Sequence, residues 1–346
     1  MQISIGSRLV GPQQPPFIIA ELSGNHNQDL KRGLAIVDAM AAAGAHAIKL
    51  QTYTADTMTL PGVHRIEDPN SLWYGRELHE LYQEAYTPWE WHKPLFERAK
   101  QHGMQAFSSP FDETAVDFLE TLDVPAYKIA SFENTDWPLL RRVAATGKPV
   151  IMSTGASKLA EVAEAVDILR QAGCREIILL KCTSTYPATP KNTNLRTIPH
   201  LQQLFPDALV GLSGHTMGVG AAVAAVALGA CVIEKHVTLR RADGGVDSAF
   251  SLEPEEVAQL ITETERAWQA LGHIQYEVQR AEEKSRFYKR SVYVAQDIQA
   301  GELFTKENVR VVRPGDGLAP RYYEQVLGKP ARQDLRAGMP LTWEAL

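Results

Sequence analysis

The chain has 346 residues, of which 45% are hydrophobic and 22% charged, a balance typical of a globular protein. Its net charge of −6 and isoelectric point of about 6.0 exclude the basic surface that nucleic-acid binding needs. The opening MQISIGSRLV lacks the basic start and long apolar stretch of a signal peptide, and no apolar run is long enough to span a bilayer. Three cysteines without metal-type spacing suit a reducing compartment. We therefore expect a cytoplasmic protein.

The predicted elements alternate regularly along most of the chain. Residues 1–10 alternate like a β-strand and precede a turn signal at residues 11–16, which predicts a hairpin at the floor of the next domain. Eight short apolar runs of β-type composition follow, at residues 17–22, 46–51, 104–109, 126–131, 149–154, 176–182, 208–213 and 231–236. Helix-like segments separate and follow them, at residues 30–43, 89–102, 113–122, 137–146, 158–172, 198–204, 219–228 and 254–271. This pattern predicts an α/β fold of the TIM (β/α)8 barrel type.

One interval breaks the alternation. Between Gln51 and Trp89 lies a long segment rich in aromatic and charged residues. An insertion of this length after a barrel strand is typical of a lid or a substrate wall, and the alternative is a packing excursion on the barrel rim.

The sequence changes character after the last predicted helix. A barrel takes about 250 residues as one domain, which leaves room for a small appendage. We predict a barrel domain over residues 1–274, a charged helical linker over residues 275–289 and a small β-rich domain over residues 290–346. Within the last domain, residues 296–303 resemble residues 333–341, and each segment has a β-turn around an Ala-Gly pair.

Nearly every apolar run ends in a residue that can do chemistry, and the active site of such a barrel lies at the carboxyl ends of its strands. These residues are Glu21, Lys49, Ser108, Lys128, Ser131, Ser153, Lys181, Ser213, Glu234 and His236, with His215 just past the seventh run. Lys49 and Lys128 alternate with apolar neighbours, so both should point into the barrel mouth, where an ammonium group is costly unless it is paired or faces an anion. With the serines they predict a phosphorylated, carboxylated ligand. The alternative is a buried network in which the lysines pair with Glu21 or Glu133.

His215 and His236 belong to consecutive strand ends. Adjacent strands lie about 4.8 Å apart, so two imidazoles there can bind one divalent cation. With two protein ligands the metal keeps open positions for water and a substrate oxygen, as a Lewis-acid site requires. A single histidine at a strand end is more commonly a hydrogen-bonded core residue, but two on neighbouring strands favour the metal.

Motifs spread along the chain resemble the sialic acid synthase family. They are AELSGNHN (residues 20–27), AIKLQTYTADTMTL (47–60), AYKIASFE (126–133), STG (153–155), KCTSTYPA (181–188), GLSGHT (211–216) and EKH (234–236). The tail resembles the antifreeze-like (SAF) domain of that family, so the resemblance covers practically the whole chain. The SGNH opening and the segments LYQEAYTPWEWHKPLFERAK and FSSPFDETAVDFL are most similar to members that use a 2,4-diacetamido-2,4,6-trideoxy sugar.

The resemblance implies condensation of phosphoenolpyruvate with an N-acylated amino-sugar aldehyde, with loss of phosphate. The implied metal is Mn²⁺ or Mg²⁺, held by His215 and His236. The residues implied for phosphoenolpyruvate are Lys49, Ser109, Lys128, Ser131, Ser153 and Ser213. Those implied for the sugar are Gln51, Tyr186, Asp247 and Arg313, and those implied for catalysis are Glu21, Lys49, Lys128, Glu133 and Asp247. In relatives the arginine equivalent to Arg313 reaches a neighbouring subunit's barrel mouth, which implies a domain-swapped homodimer.

Gly214 departs from the family pattern, which usually has an aspartate immediately before the first metal histidine. Loss of a group that supports a metal ligand costs roughly 10–100-fold in affinity. We therefore expect weaker metal binding, or transfer of the role to Asp243 or Asp247.

Three other functions fit the sequence. The first is the same reaction on N-acetylmannosamine or its 2,4-diacetamido-6-deoxy analogue, which gives sialic or legionaminic acid. The second is a metal-independent aldolase that forms a Schiff base with Lys128 or Lys181. The third is a non-catalytic carbohydrate-binding protein in which Gly214 marks a decayed site.

Overall fold

Eight parallel strands close into a barrel whose spatial order follows the chain. The computed structural model describes residues 1–346 and divides into two units, Met1–Gly272 and His273–Leu346. The strands are β1 (Ile3–Ile5), β2 (Arg8–Val10), β3 (Phe17–Glu21), β4 (Ala47–Thr52), β5 (Gln105–Pro110), β6 (Tyr127–Ile129), β7 (Val150–Ser153), β8 (Ile177–Cys182), β9 (Leu209–Ser213), β10 (Val232–His236), β11 (Ser291–Val294) and β12 (Val309–Val312). The helices are α1 (Leu30–Ala42), α2 (Ala55–Met58), α3 (Leu78–Ala85), α4 (Trp89–Gln101), α5 (Glu113–Glu120), α6 (Trp137–Ala144), α7 (Leu159–Gln171), α8 (Thr197–Leu204), α9 (Gly220–Ala227), α10 (Pro254–Leu271) and α11 (Tyr323–Val326). Strands β3 to β10 form the barrel, and β10 closes it by pairing with both β9 and β3.

The predicted barrel is confirmed element by element. Each predicted apolar run matches one barrel strand to within two residues at either end, and each predicted helix is found to within one turn. The strands read as continuous apolar runs because helices cover one face and the barrel interior the other, so β3, β7, β8, β9 and β10 are buried throughout. Asp29, Asp112 and Asp136 begin α1, α5 and α6 by accepting hydrogen bonds from free N–H groups of the first turn. None of the helices combines the length and apolar character that spanning a bilayer requires.

The amino-terminal hairpin lies earlier than the sequence predicts. Strands β1 and β2 both fall within residues 1–10, and the turn is formed by Gly6 and Ser7 instead of residues 11–16. Gly6 has a φ of +58°, a conformation that glycine adopts without a steric penalty, so the chain can reverse there in two residues. The predicted position at the barrel floor is correct, because Gln105 Nε2, at the start of β5, donates to Ser7 Oγ at 3.0 Å.

The insertion between β4 and α4 contains two short helices, α2 and α3, which the sequence pattern did not indicate. Thr54 begins α2 with a reciprocal pair of hydrogen bonds to Thr57. The segment folds against the loop after β3, since Gln28 Nε2 donates to the carbonyls of Glu84 and Tyr86 at 2.9 and 2.7 Å.

The second unit has its own small core around β11 and β12, which pair antiparallel. The segment predicted as a charged helical linker contains an exposed 3₁₀ helix, Arg280–Tyr288. The two similar segments face one another: Ile298 pairs with Leu335, the amide of residue 300 donates to Asp334 Oδ1 at 2.8 Å, and the amide of residue 337 donates to Asp297 Oδ1 at 2.8 Å. Their sequence similarity therefore corresponds to reciprocal contacts.

Candidate active site

The carboxyl ends of the barrel strands surround a cavity of about 490 Å³. It is lined by every predicted site residue of the first unit except Ser109: Glu21, Lys49, Gln51, Lys128, Ser131, Glu133, Ser153, Tyr186, Ser213, His215, His236 and Asp247. Strand register accounts for part of this convergence, because Glu21 pairs laterally with Lys49 on one side and with His236 on the other. Laterally paired residues of neighbouring strands present their side chains to the same face, so these three meet in the barrel interior.

A buried ion-pair network forms the floor of the cavity. Lys49 Nζ lies 2.9 Å from Glu21 Oε1 and 3.2 Å from Glu234 Oε2. Burial alone would raise the pKa of Glu21, but His236 and Lys49 outweigh it and hold that pKa well below its usual range. Burial also opposes the charge on Lys49, but Glu21 and Glu234 raise its pKa above the ordinary value. The network therefore consists of residues that the sequence predicts either to bind a ligand or to pair with one another.

A second ammonium group, Lys128, faces neutral oxygens more closely than carboxylates. Its Nζ donates to Ser153 Oγ at 2.7 Å and to the Ile129 carbonyl at 3.0 Å, and it lies 3.8 Å from Glu234 Oε1. Burial lowers the pKa of Lys128, although Glu234 opposes this shift. Two of its three N–H groups bind protein oxygens, which leaves one for a bound anion.

The serine hydroxyls lie around the same part of the cavity. Ser131 Oγ accepts a hydrogen bond from the Gly155 amide at 3.2 Å, and Ser213 Oγ donates to Glu234 Oε1 at 3.0 Å. A side chain at Gly155 would place its Cβ 2.2 Å from Ser184 Oγ and 2.7 Å from Ser131 Oγ, so only glycine allows this close approach. Hydroxyl, backbone N–H and ammonium donors together form a set suited to phosphate or carboxylate oxygens.

The rings of His215 and His236 lie with their centroids 5.3 Å apart, as the strand order predicts. His215 Nδ1 is 3.0 Å from the Thr183 carbonyl, so this nitrogen carries the proton and Nε2 has the free lone pair. His236 Nδ1 is buried without a hydrogen-bond partner, and its Nε2 lies 3.3 Å from Glu21 Oε2. Burial lowers the pKa of His236, although Glu21 and Asp247 oppose this shift, and a lowered pKa favours the neutral ring that binds metals.

Two carboxyl groups and a tyrosine complete the polar part of the cavity. Glu133 Oε2 is buried without a hydrogen-bond partner, and burial raises the pKa of Glu133 to about 7 against the opposing charge of Lys128. A carboxyl group with this pKa can donate or accept a proton near neutral pH. The ring of Tyr186 packs 4.5 Å from that of His215, and Asp247 Oδ2 lies 3.8 Å from His236 Nδ1.

Ser109 does not belong to the cavity, contrary to the sequence expectation. Its side chain is 1% exposed, and its hydroxyl has no hydrogen-bond partner. Gln51 is its lateral neighbour on β4, and the longer side chain of Gln51 reaches Glu21 Oε1 at 2.9 Å. A serine hydroxyl at this depth is too short to extend in the same way.

Three other residues of the first unit that the sequence analysis considers, Ser108, Lys181 and Asp243, do not line the cavity. The hydroxyl of Ser108 hydrogen-bonds that of Thr52 at 2.6 Å. Lys181 Nζ donates to the Cys182 carbonyl at 2.9 Å and to Thr183 Oγ1 at 2.5 Å, and it does not line the cavity. Asp243 pairs with an arginine at 2.8 Å and is also absent from the lining. Arg313 follows β12 in the second unit and is exposed.

The space beside Gly214 is lined by Lys235 and Leu212. A side chain there would meet Lys235 Cδ at 3.4 Å and Leu212 Cδ2 at 3.5 Å, and neither of these residues lines the cavity. The buried Lys235 donates to the Thr216 carbonyl. An aspartate at this position would therefore lie beside the side chain of Lys235.

Three further residues contribute to the site. The sequence analysis did not predict Cys182 and Ser23, and it named Glu234 without giving it a role. Cys182 lines the cavity 3.9 Å from His215 Nδ1; burial would raise the pKa of its thiol, but His215 and neighbouring hydroxyls bring it down to about 7. Glu234 ends β10 and bridges both lysines, which only the lateral register reveals. Ser23, just after β3, donates a hydrogen bond to Asp247 Oδ2. Its position two residues after Glu21 was the one feature of the sequence that could have indicated a role in the site.

The insertion supplies an apolar wall to the cavity, formed by Met58, Ile66, Trp73, Leu78 and Leu81. Trp73 anchors this apolar wall, because its Nε1 donates to the carbonyl of residue 246 at 2.9 Å and its ring lies 5.8 Å from the ring of residue 186. The insertion therefore lines the cavity, as one of the two sequence interpretations predicts.

Comparison with known proteins agrees with this architecture. The NeuB family profile matches residues 36–276, and the SAF domain profile matches residues 289–346. The chain is 43% identical over 325 residues to a pseudaminic acid synthase from Campylobacter jejuni subsp. jejuni serotype O:2, covering 93% of this chain and 94% of that one. It is 41% identical over 334 residues to a pseudaminic acid synthase from Helicobacter pylori, covering 95% and 97%. The crystal structure of N-acetylneuraminic acid (sialic acid) synthetase from Leptospira borgpetersenii serovar Hardjo-bovis in complex with citrate is 34% identical, with a TM-score of 0.74 over 82% of this chain and 95% of that chain. These matches confirm the resemblance seen in the motifs, and the chain belongs to the NeuB family.

Proposed function

We propose that the chain is a pseudaminic acid synthase, which condenses phosphoenolpyruvate with 2,4-diacetamido-2,4,6-trideoxy-L-altrose and water to give pseudaminic acid and phosphate. The observation that carries this proposal is the convergence of Lys49, Lys128, the serine hydroxyls and two neighbouring imidazoles in one cavity. In the reaction a bond forms between C3 of phosphoenolpyruvate and C1 of the sugar aldehyde. Water adds at C2, and phosphate leaves with cleavage of its C–O bond.

The donors around Lys128 support binding of phosphoenolpyruvate. Lys49 is already paired with Glu21 and Glu234, so it neutralises carboxylates more than it attracts an anion. Lys128 retains an N–H group and lies beside Ser153. Fixed donors of this kind stabilise charge without reorganising during the reaction.

The two imidazoles fit a divalent metal, because His215 offers a free Nε2 and His236 has a buried ring nitrogen without a partner. No group of three or more histidine, cysteine, aspartate or glutamate side chains is arranged to hold a metal. A metal held by the two imidazoles alone would need water or substrate oxygens at its remaining positions. When bound, Mn²⁺ or Mg²⁺ acts as a Lewis acid toward the sugar aldehyde. The Thr183 carbonyl fixes the orientation and tautomer of His215.

Glu21 and Glu133 have environments that divide the proton transfers between them. Glu21 is held ionised by the ammonium group of Lys49, so it can accept a proton from the water that adds to C2. Glu133 has a pKa raised to about 7, so its protonated form can donate to the aldehyde oxygen as that oxygen becomes a hydroxyl. Two carboxyl groups with separated pKa values are the usual basis of such an assignment.

The apolar wall supports a 6-deoxy sugar. A methyl group at C6 can pack against Met58 and Leu78, whereas the hydroxyl of N-acetylmannosamine would lose its hydrogen bonds there. An apolar pocket discriminates against an added hydroxyl by roughly 100-fold. The relatives named as pseudaminic acid synthases support the altro configuration over the manno configuration.

Phosphate release from phosphoenolpyruvate tests the proposal directly. The assay uses Mn²⁺ and three sugars: 2,4-diacetamido-2,4,6-trideoxy-L-altrose, the 2,4-diacetamido-6-deoxy analogue of N-acetylmannosamine, and N-acetylmannosamine. We expect the highest kcat/KM with the first sugar and loss of activity with EDTA. Preference for either of the others would identify a legionaminic or sialic acid synthase, and no release with any sugar would favour a carbohydrate-binding protein. Inactivation by pyruvate and borohydride, with no effect of EDTA, would indicate a Schiff-base aldolase.

A matched pair of substitutions tests the apolar wall. Met58→Gln introduces a polar group of similar size into the cavity, and Leu60→Gln does the same at a side chain that is 67% exposed and outside it. We expect Met58→Gln to reduce the preference for the 6-deoxy sugar over N-acetylmannosamine by about 10-fold. Leu60→Gln should leave the ratio unchanged, and equal effects of both would contradict the assignment.

We further propose a domain-swapped homodimer in a reducing cytoplasm, in which Arg313 reaches the partner's cavity. Ile274 and Tyr276 are 87% and 96% exposed in the single chain, and contact with a second subunit would cover them. All three cysteines are buried and unpaired, as expected in a reducing compartment. Co-expression of Arg313→Ala with His236→Ala is the test, since a swapped dimer rebuilds one intact site from two inactive chains. Mixed dimers without activity would contradict the swap.

A further inference from the structure

Ser23 holds a backbone conformation that serine rarely adopts. It lies two residues after the end of β3 and has a φ of +50°, in the left-handed region that favours glycine. The residue is also buried, with 1% of its surface exposed to solvent. Glycine would occupy this position without steric strain. A strained residue that persists next to a cavity calls for an account of what its side chain does there.

The side chain of Ser23 binds a carboxylate of the cavity. Its Oγ donates a hydrogen bond to Asp247 Oδ2, across more than two hundred residues of sequence. Asp247 lines the cavity, and the same Oδ2 lies 3.8 Å from His236 Nδ1. Ser23 does not cap the 3₁₀ turn Ser23–His26 that it begins, since that turn has no side-chain cap. The hydroxyl therefore serves Asp247 and not the local backbone.

Neighbouring contacts hold the same two loops together without touching the carboxylate. Asn25 Nδ2 donates to the Val237 carbonyl and to Ser251 Oγ, both at 2.9 Å. Ser251 Oγ in turn donates to the backbone carbonyl of Asp247 at 2.7 Å. These bonds fix the backbone of the loop after β10. The orientation of the Asp247 side chain depends on a further contact, which Ser23 supplies.

We infer that Ser23 is a positioning residue, whose strained backbone is retained because its hydroxyl fixes the Asp247 carboxylate beside His236, on the side of the cavity that receives the sugar. The assignment of that side to the sugar rests on the proposed function. The link between Ser23 and Asp247 rests on the geometry alone.

Ser23→Gly and Ser23→Ala separate the strain from the hydrogen bond. Both variants remove the hydroxyl, but only alanine keeps the strain. We expect Ser23→Gly to melt about 2–4 °C above Ser23→Ala. Both should lose about 10- to 100-fold in kcat/KM for the sugar, as for a hydrogen bond to a charged group, with the KM for phosphoenolpyruvate within about twofold of wild type. A purely structural role predicts instead that Ser23→Gly, the more stable variant, keeps wild-type kinetics.

Two outcomes would overturn the inference: Ser23→Gly with wild-type kcat/KM for the sugar, or Ser23→Ala as stable as Ser23→Gly. A thermal double-mutant cycle of Ser23→Ala with Asp247→Asn needs no substrate, and we expect the two changes to be non-additive. Additivity in this cycle refutes the Ser23–Asp247 link. Failure of the wild-type protein to use any of the three sugars, with non-additivity in the cycle, refutes the proposed function and leaves the positioning role intact.

Discussion

Replacing Lys49 with methionine tests how much the buried ion pairs stabilise the barrel. The side chains of Lys49, Glu21 and Glu234 are 2%, 4% and 2% exposed, so water cannot replace the lost ammonium group. One stranded carboxylate must then take up a proton, which costs about 3.7 kcal/mol at neutral pH for a carboxyl group with an unfolded pKa near 4.3. This value lies within the range of about 3–5 kcal/mol for breaking a buried pair. For a barrel of this size it corresponds to a fall in Tm of roughly 7–15 °C.

The pH dependence makes the prediction specific. The folded protein holds the pKa of Glu21 below its unfolded value, so the stabilisation is complete above about pH 4.3 and is lost as the pH falls from there toward the folded pKa. In Lys49→Met the cost of protonation decreases by about 1.4 kcal/mol for each pH unit below neutral. The gap in Tm between the variant and wild type should therefore narrow steadily as the pH is lowered to about 4.5.

Thermal unfolding followed by circular dichroism between about pH 4.5 and 8 measures both effects. Adding Glu21→Gln to Lys49→Met is the control, because it removes one of the stranded carboxylates and should restore at least half of the lost Tm. A fall in Tm of less than about 2 °C, or a fall that does not change with pH, would show that the reasoning is wrong.

Three further predictions follow from the site. His236→Ala should abolish turnover and weaken Mn²⁺ binding in calorimetry while leaving Tm within a few degrees; near-wild-type rates would refute the metal assignment. The pKa of Glu133 is raised to about 7, so the wild-type protein should lose stability as the pH rises from the unfolded pKa of this group through 7. Glu133→Gln should remove this loss, and chemical denaturation at pH 5 and pH 8 can detect the difference. Gly214→Asp should raise Tm by giving Lys235 a carboxylate partner, and it should leave the affinity for Mn²⁺ unchanged. A gain in Mn²⁺ affinity of about 10-fold, the size expected for restoring a group that supports a metal ligand, would place the side chain near the metal.

The fold and most of the site follow from the sequence because parallel barrel strands leave a strong signal. Each is a short apolar run with helices on either side, and the topology then brings the strand ends together. His215 and His236 were predicted as neighbours on this basis alone. The same reasoning could not decide how deep a side chain lies, so Ser109 was included although its hydroxyl stops short of the cavity.

Other features depend on properties that a sequence does not carry. The pairing of Glu234 with both lysines depends on the lateral register of β10 with its neighbours. The role of Ser23 becomes visible only through its φ angle. The amino-terminal turn was misplaced because glycine at residue 6 closes a two-residue hairpin, a weaker signal than the Gly- and Pro-rich segment that follows. The short helices α2 and α3 lie in an insertion without a clear period.

The pairing of the first barrel strand with the last determines when the cavity is completed during synthesis. Strand β3, which carries Glu21, pairs with β10, which carries His236, so the first and last barrel strands build the centre of the cavity together. While β10 is still inside the ribosome, the folded part of a growing chain contains Glu21, Lys49 and His215. It lacks His236, the second imidazole of the cavity. The cavity is therefore complete only after the last strand has closed the barrel.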